Sequence, residues 1–378
     1  MRILFTFIGG SGHFRPLIPV ARAARAAGHT VAVAGAGRRG PEIAAAGFTA
    51  FATSEPRTGA EVAETTRAAE RRTVETPDPE ADVRHLAEGF ARRGARRHAS
   101  AILEHARAWK PDVLVRDEVD FGAAIAAESL AVPCATVLVL AAGGFLRREV
   151  VAEPLHELRS AYGLRPDPEL AMLDRHLVLS PFPPSFRDPR FPLPARTFSF
   201  RPTAFGPVGT PRRTPTVYFT LGTVNNTTDL FSRVLAGLQE LPVDVVVTVG
   251  ERVDPAGLGP LPGHVRVERF VPQELLLPQC DLVVSHAGSG SLMGALAHGL
   301  PSVLLPLGAD QPYNARRCAE LGAAQVLDPV TVTSEEVRTS VSAVLADVAH
   351  RRAAERIAEE INALPGPERT IPLLEALH

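Results

Sequence analysis

The 378-residue chain has a single lysine, Lys110, so nearly all of its positive charge is arginine. With abundant alanine and proline, that bias points to a GC-rich coding sequence. The net charge is only −2, and the missing basic excess argues against a general nucleic-acid binder. Cysteine is scarce as well. Cys134, Cys280 and Cys318 are odd in number and widely spaced in apolar contexts, so they form no zinc or redox motif and fit a reducing compartment. No uninterrupted apolar run reaches the length of a membrane span. The first residues show no basic n-region with a long apolar core, so no signal peptide is read. The expectation is a cytoplasmic protein without stable membrane insertion.

What is present is enough for two packed cores. Hydrophobic residues make up 45% of the chain, and its length suits two domains. Short apolar runs alternate with helical patterns. In the first half the expected strands are Arg2–Phe7, Thr30–Ala34, Thr49–Ala52, Asp112–Arg116, Ala135–Leu140 and His176–Leu179. Leu17, Val20, Ala21 and Ala24 share one helical face, and Gly28 is placed to end that helix. From Pro181 to Pro215 prolines crowd the chain and should break regular structure repeatedly. Alternation resumes with expected strands Val217–Leu221, Val243–Val249, Val265–Phe270, Leu282–Ser285, Ser302–Pro306 and Gln325–Leu327. The reading is α/β, with two doubly wound halves facing a cleft and ligands at the carboxyl ends of the strands. The expected boundaries are an N-terminal domain at 1–202, a linker at 203–215, a second domain at 216–349 and a helical tail at 350–378. Between Glu55 and Ala108 the pattern is helical and charged. Arg92, Arg93, Arg96 and Arg97 cluster there, and a solvated helix face is the better reading than a site for an anionic partner.

Two glycine-rich turns carry the chemistry. The first, "FIGGSGHFRPLIP", follows the first expected strand. It begins like a dinucleotide fingerprint, but Arg15 stands where the third small residue belongs. The second strand ends in Ala34-Gly35-Ala36, with no acid to hold a ribose. What remains is His13 at a helix start. A helix N-terminus disfavours an imidazolium and keeps a neutral base available, whereas a neighbouring carboxylate would fix the tautomer. Asp117 ends "PDVLVRD" at the same sheet edge, and could serve as that carboxylate or as a plain helix cap.

The second turn is "SHAGSGSLMGALAHG". A strand runs into Gly288-Ser289-Gly290-Ser291 and then a helix, which makes an anion site of freed backbone N–H groups and a helix dipole. His286, Ser289 and Ser291 add donors; the alternative is an ordinary turn with a capping serine. Asp310-Gln311 follows the next strand and suits a polyol such as a sugar. "FTLGTVNNTTDLF" adds Thr220, Thr223 and Asn225. In "RFVPQ", Phe270 can stack a base, although from the residues alone core packing is the favoured reading.

Together, "GSGHFRPLIP", "RDEVDFGAAIAAESLAVP", "LGT" and the long block "RFVPQELLLPQCDLVVSHAGSGSLMGALAHGLPSVLLPLGADQPYNARRCAELGAA" resemble the nucleotide-sugar-dependent glycosyltransferases of the GT-B fold. The resemblance is to the bacterial branch that decorates macrolides, polyketides, enediynes and similar antibiotics. It implies a deoxysugar or hexose moved from a TDP- or UDP-sugar to a small aglycone, with inversion and without a metal or other cofactor. By resemblance His13 is the catalytic base and Asp117 the acid that orients it. His286, Gly288, Ser289, Gly290, Ser291 and Thr223 surround the diphosphate. Phe270, Val271 and Gln273 lie by the nucleoside, and Asp310 and Gln311 hold the sugar hydroxyls. The absence of a D-x-D motif agrees with metal independence. Many relatives carry tryptophan where Phe270 stands, and the chain is short for the branch. Alternatives on the same fold are a C-glycosyltransferase, a lipid-linked cell-envelope glycosyltransferase and a non-catalytic partner protein. A homodimer is left open.

Overall fold

The computed structural model describes residues 1–55, 74–202, 214–222, 228–250 and 253–378. Thr223, Asn225 and nearly all of the expected linker lie outside these residues. The described residues divide into two compact units. The first falls within Met1–Thr58, Glu80–Ala204 and Leu364–His378, and the second within Gly59–Pro79 and Phe205–Ala363.

In the first unit, seven strands form one parallel sheet: β1 (Arg2–Thr6), β2 (Thr30–Gly35), β3 (Thr49–Ala52), β4 (Val113–Asp117), β5 (Cys134–Val137), β6 (Val178–Ser180) and β7 (Thr197–Ser199). Their spatial order is β3-β2-β1-β4-β5-β6-β7. Both faces are covered, as parallel sheets require. Alternate residues of β1 serve the two sides. Ile3 and Phe5 join Leu17, Val20 and Ala24 of the first helical stretch, together with Ile371 and Leu374 near the C-terminus. Leu4 packs with Ile102, Ala123 and Ala126 on the opposite face. The helix carrying Val20 and Ala24 ends near Gly28, whose φ is +87°.

The second unit repeats the plan with β8 (Thr216–Thr220), β9 (Asp244–Thr248), β10 (Val265–Glu268), β11 (Leu282–Ser285), β12 (Ser302–Leu304) and β13 (Ala324–Val326). Its order is β10-β9-β8-β11-β12-β13, again parallel. Val217, Phe219 and Leu221 enter one core, and Tyr218 enters the other. The α/β expectation therefore holds in both halves.

Three expectations need correction. β7 lies inside the proline-rich stretch that was expected to be irregular. It pairs with β6 over only three residues at the edge of the sheet, where nearby proline is tolerated. Strand β5 stops at Val137 rather than Leu140, because the N–H groups of Val139 and Leu140 leave the ladder for the buried carboxylate of Glu118, at 3.1 Å each. Phe270 is 64% exposed, so it is not a core residue. As for the arginine cluster, Arg92 pairs with Glu88, Glu153 and Glu157, which places its charge in a surface network within the chain.

Candidate active site

In an open parallel sheet, ligands bind beyond the carboxyl ends of strands where the strand order reverses. The first sheet reverses between β1 and β4, with Thr6 facing Arg116 in register. The loop after β1 carries His13, and the last residue of β4 is Asp117. The fold thus brings together two residues that lie far apart in sequence. His13 Nδ1 stands 3.4 Å from Asp117 Oδ2.

Asp117 is fully buried and serves more than His13. Its Oδ2 accepts from Ile8 N at 2.8 Å, and its Oδ1 accepts from Val119 N at 2.7 Å and Asp120 N at 2.9 Å. The carboxylate therefore fastens the β1 loop to the β4 turn. Only Gly9 of the first glycine run takes a positive φ, +102°. A Cβ there would come within 3.0 Å of His13 Cδ2 and 3.2 Å of Nε2. Ser11 does not cap the helix but bonds Glu42 and Arg39.

A second histidine–carboxylate pair escaped the sequence reading. His98 Nδ1 lies 2.8 Å from Asp120 Oδ1, and its Nε2 lies 2.8 Å from Thr53 Oγ1. Burial opposes charge on this ring, yet Asp120 beside it raises His98 above its ordinary pKa. Burial likewise works against ionising Asp120, but His98 and the Thr6 and Ala123 donors hold it low. Gly122 lets the helix Phe121–Ser129 meet the helix Ala95–Trp109, since a Cβ there would strike Ala95 O and Ala99 N at 2.6 Å. The pair braces the turn that supplies two N–H donors to Asp117. No sequence motif marks it, because its members are joined only by the packing of the helices.

The second sheet reverses between β8 and β11, where Ser285 faces Thr220. His286 follows β11 directly. Burial pushes its imidazole down to about 4, with a hydrogen bond to the Thr220 carbonyl opposing the shift. Two glycines crowd the ring. A Cβ at Gly222 would lie 2.7 Å from His286 Nε2, and one at Gly288 only 2.5 Å from it. Gly288 thus has a steric role that the sequence reading did not see, and Gly222 shares it. Ala287 takes φ +64°, uncommon for a residue with a side chain and typical of functional turns. The helix Ser289–Ala297 then starts without a side-chain cap, so its first-turn N–H groups are left to other acceptors. Gly290 is exposed, and a Cβ there would meet nothing within 4 Å.

The remaining expected donor residues gather around this turn. Ser289 Oγ donates to Asp310 Oδ2 at 2.6 Å. Asn314, fully buried one helical turn after Asp310, donates to Ala287 O, Ser289 Oγ and Asp310 Oδ2 at 3.0, 3.1 and 2.8 Å. The sequence reading missed Asn314, although its spacing from Asp310 is the signal that could have found it. Gln311 Oε1 accepts from Leu307 N at 2.7 Å, which leaves its amide end for any other partner. Gln273 Nε2 donates to Ser291 Oγ at 3.3 Å, joining an expected nucleoside residue to an expected diphosphate residue. Val271 packs against the apolar cluster beneath, while Phe270 stays exposed beside it in sequence.

All three cysteines are free thiols, and burial pushes Cys134 up to about 11 and Cys318 up to about 12. No described helix is long and apolar enough to cross a membrane.

Comparison with known proteins finds two matching domains. Residues 22–188 match the N-terminal domain, and residues 232–377 the C-terminal domain, of the erythromycin biosynthesis protein CIII-like family. Tylactone mycaminosyltransferase of Streptomyces fradiae is 30% identical, with 100% of this chain and 92% of the relative covered. Aclacinomycin-T 2-deoxy-L-fucose transferase of Streptomyces galilaeus is 29% identical, with 100% and 96% covered. Among solved structures, spinosyn rhamnosyltransferase SpnG complexed with thymidine diphosphate superposes with a TM-score of 0.80 at 26% identity. That alignment covers 99% of this chain and 100% of the other.

Proposed function

The chain belongs to the erythromycin biosynthesis protein CIII-like family and is a GT-B glycosyltransferase, and from that premise we propose an inverting, metal-independent sugar transfer to a small natural-product aglycone. The donor is a deoxysugar or hexose on thymidine or uridine diphosphate. The thymidine diphosphate bound to the SpnG relative supports the first of these nucleosides. The names of the two antibiotic sugar transferases support the acceptor class.

The observation that carries the mechanism is the His13–Asp117 pair at the first switch point. With Nδ1 turned toward Asp117, Nε2 is the nitrogen that takes the proton from the acceptor hydroxyl. The acceptor oxygen forms its bond to the anomeric carbon as the bond to the diphosphate breaks. The electron pair leaves with the diphosphate, and the proton ends on His13. Asp117 holds the ring in the required tautomer and faces the imidazolium that forms. One displacement inverts the anomeric centre and needs one base, unlike the two carboxylates of a glycosidase.

The second switch point serves the leaving group. First-turn N–H groups of Ser289, Gly290 and Ser291, and the dipole of their helix, are suited to a developing diphosphate charge. His286, kept neutral by burial and with its one N–H directed at the Thr220 carbonyl, gains a second donor for the diphosphate by taking up a proton as the anion binds. Asp310 and the amide of Gln311 hold sugar hydroxyls. Exposed Phe270 offers a face to the base, and Gln273 and Val271 border the nucleoside.

The test begins with a binding screen of thymidine and uridine diphosphate sugars. The best donor is then run against a panel of aglycones, with product linkage and anomeric configuration read by NMR. Transfer with inverted configuration is expected. Retention, or failure to bind any nucleoside diphosphate, overturns the reading.

A further inference from the structure

A histidine whose ring turns freely is a poor base, because the torsion at its imidazole is broad. Asp117 makes a long contact with His13. Its Oδ2 already accepts from Ile8 N at 2.8 Å, and His13 Nδ1 stands further off at 3.4 Å. The neighbouring His98–Asp120 pair closes to 2.8 Å. Packing on the face of the His13 ring is a further restraint on its plane.

That packing comes from an unusual segment. Residues 79–109 form a continuous helical run whose middle, Ala87–Gly94, is a π-helix. Ala95 N donates to Phe90 O, the five-residue spacing of the widened turn. Such turns are rare and often mark functional sites. The segment is pressed against the loop that carries His13. A Cβ at Gly94 would lie 2.8 Å from both Gly89 O and Ile8 Cδ1, so the missing side chain lets the widened turn close on itself and lets Ile8 approach it. On its outer side, Arg92 ties the turn to Glu153 and Glu157 of the helix Arg148–Ala161. Half-buried Phe90 thereby stacks on His13, with ring centroids 5.7 Å apart and planes at 24°. The missing side chain at Gly9 leaves room for the edge of the imidazole that carries Nε2, since a Cβ there would lie 3.2 Å from that nitrogen.

We propose that Phe90, delivered by the π-turn, is a positioning residue that sets the plane of the His13 imidazole for proton abstraction. The proposal rests on the reading of His13 as the base. Phe90 acts through the histidine and takes no part in bond making.

The test compares Phe90→Ala, Phe90→Leu and Phe90→Tyr in the full chain, using the donor and acceptor pair with the highest turnover. In Phe90→Ala and Phe90→Leu, kcat falls about ten- to a hundredfold, as expected for a misaligned base. The donor and acceptor KM values stay close to those of the parent. Phe90→Tyr restores kcat, because it keeps the aromatic face. If Leu restores kcat as well as Tyr does, the side chain is only a filler and the proposal fails. It also fails if the loss appears in acceptor KM alone, which would make Phe90 an acceptor contact. Should Phe90→Ala not fold, the Leu and Tyr pair still decides. His13→Ala serves as the control. If that variant keeps its turnover, the base reading itself is wrong; if it is inactive while Phe90→Leu matches the parent, only the role of Phe90 is refuted.

Discussion

His286 makes the stability of the protein depend on pH in a way that can be calculated. Burial lowers its pKa from the ordinary 6.5 to about 4. In the unfolded chain the ring takes up a proton near pH 6.5, whereas in the folded protein it refuses one until about pH 4. Unfolding therefore binds protons in this window. Stability is complete above pH 6.5 and is lost as pH falls toward 4. Between pH 7.5 and 5.0 the loss is at most about 2 kcal/mol, and water at the half-buried ring screens part of it. The assay is urea unfolding of the parent and of His286→Gln across that range, since the difference between them cancels the other titrating groups. The parent should weaken relative to the variant as pH falls. Saturating thymidine diphosphate should shrink the gap, because an anion beside the ring favours its charged form. Parallel curves for the two proteins would refute the argument that the ring is desolvated. A gap indifferent to the nucleotide would refute its place at the diphosphate.

Four further outcomes are expected. Gly290→Ala places its methyl in open space, so the unfolding midpoint should not fall, but donor KM should rise as the anion site fills. Gly288→Ala instead drives a Cβ into His286 and should lower stability by about 1–3 kcal/mol in the same unfolding experiment. Ser289→Ala removes the donor to Asp310 and should raise donor KM about fivefold, the worth of roughly one hydrogen bond, in steady-state kinetics. Chelation with EDTA should leave the rate unchanged; a loss restored by magnesium would contradict stabilisation of the diphosphate by N–H donors alone.

Periodicity and turn residues were enough to read nearly every strand, because each parallel strand is a short apolar run bounded by glycine or proline. They failed where tertiary context decides. Thr197–Ser199 is too short to carry a pattern of its own and exists because β6 offers an edge. Val139 and Leu140 read as strand residues, but a buried Glu118 takes their N–H groups. The π-turn at Ala87–Gly94 has no sequence signature, and Gly94 makes sense only against the Gly89 carbonyl and Ile8, which the folded chain brings to it. At the site, the edge location of His13 and Asp117 was legible from strand ends, but their distance required the strand order. Ser289 and Gly288 read as phosphate ligands. In the structure the serine hydroxyl turns to Asp310, and the absent Cβ of the glycine makes room for His286. Phe270 looked like a core residue because apolar character in sequence carries no direction.

The division of labour between the two units is tested most directly by His13→Ala. Donor binding is measured by calorimetry with the best nucleoside diphosphate sugar, and sugar transfer by product formation in the same preparation. The account predicts donor affinity equal to that of the parent and a turnover lower by about two to four orders of magnitude, the usual contribution of a positioned base. Turnover near that of the parent, or a loss of donor affinity, would contradict it.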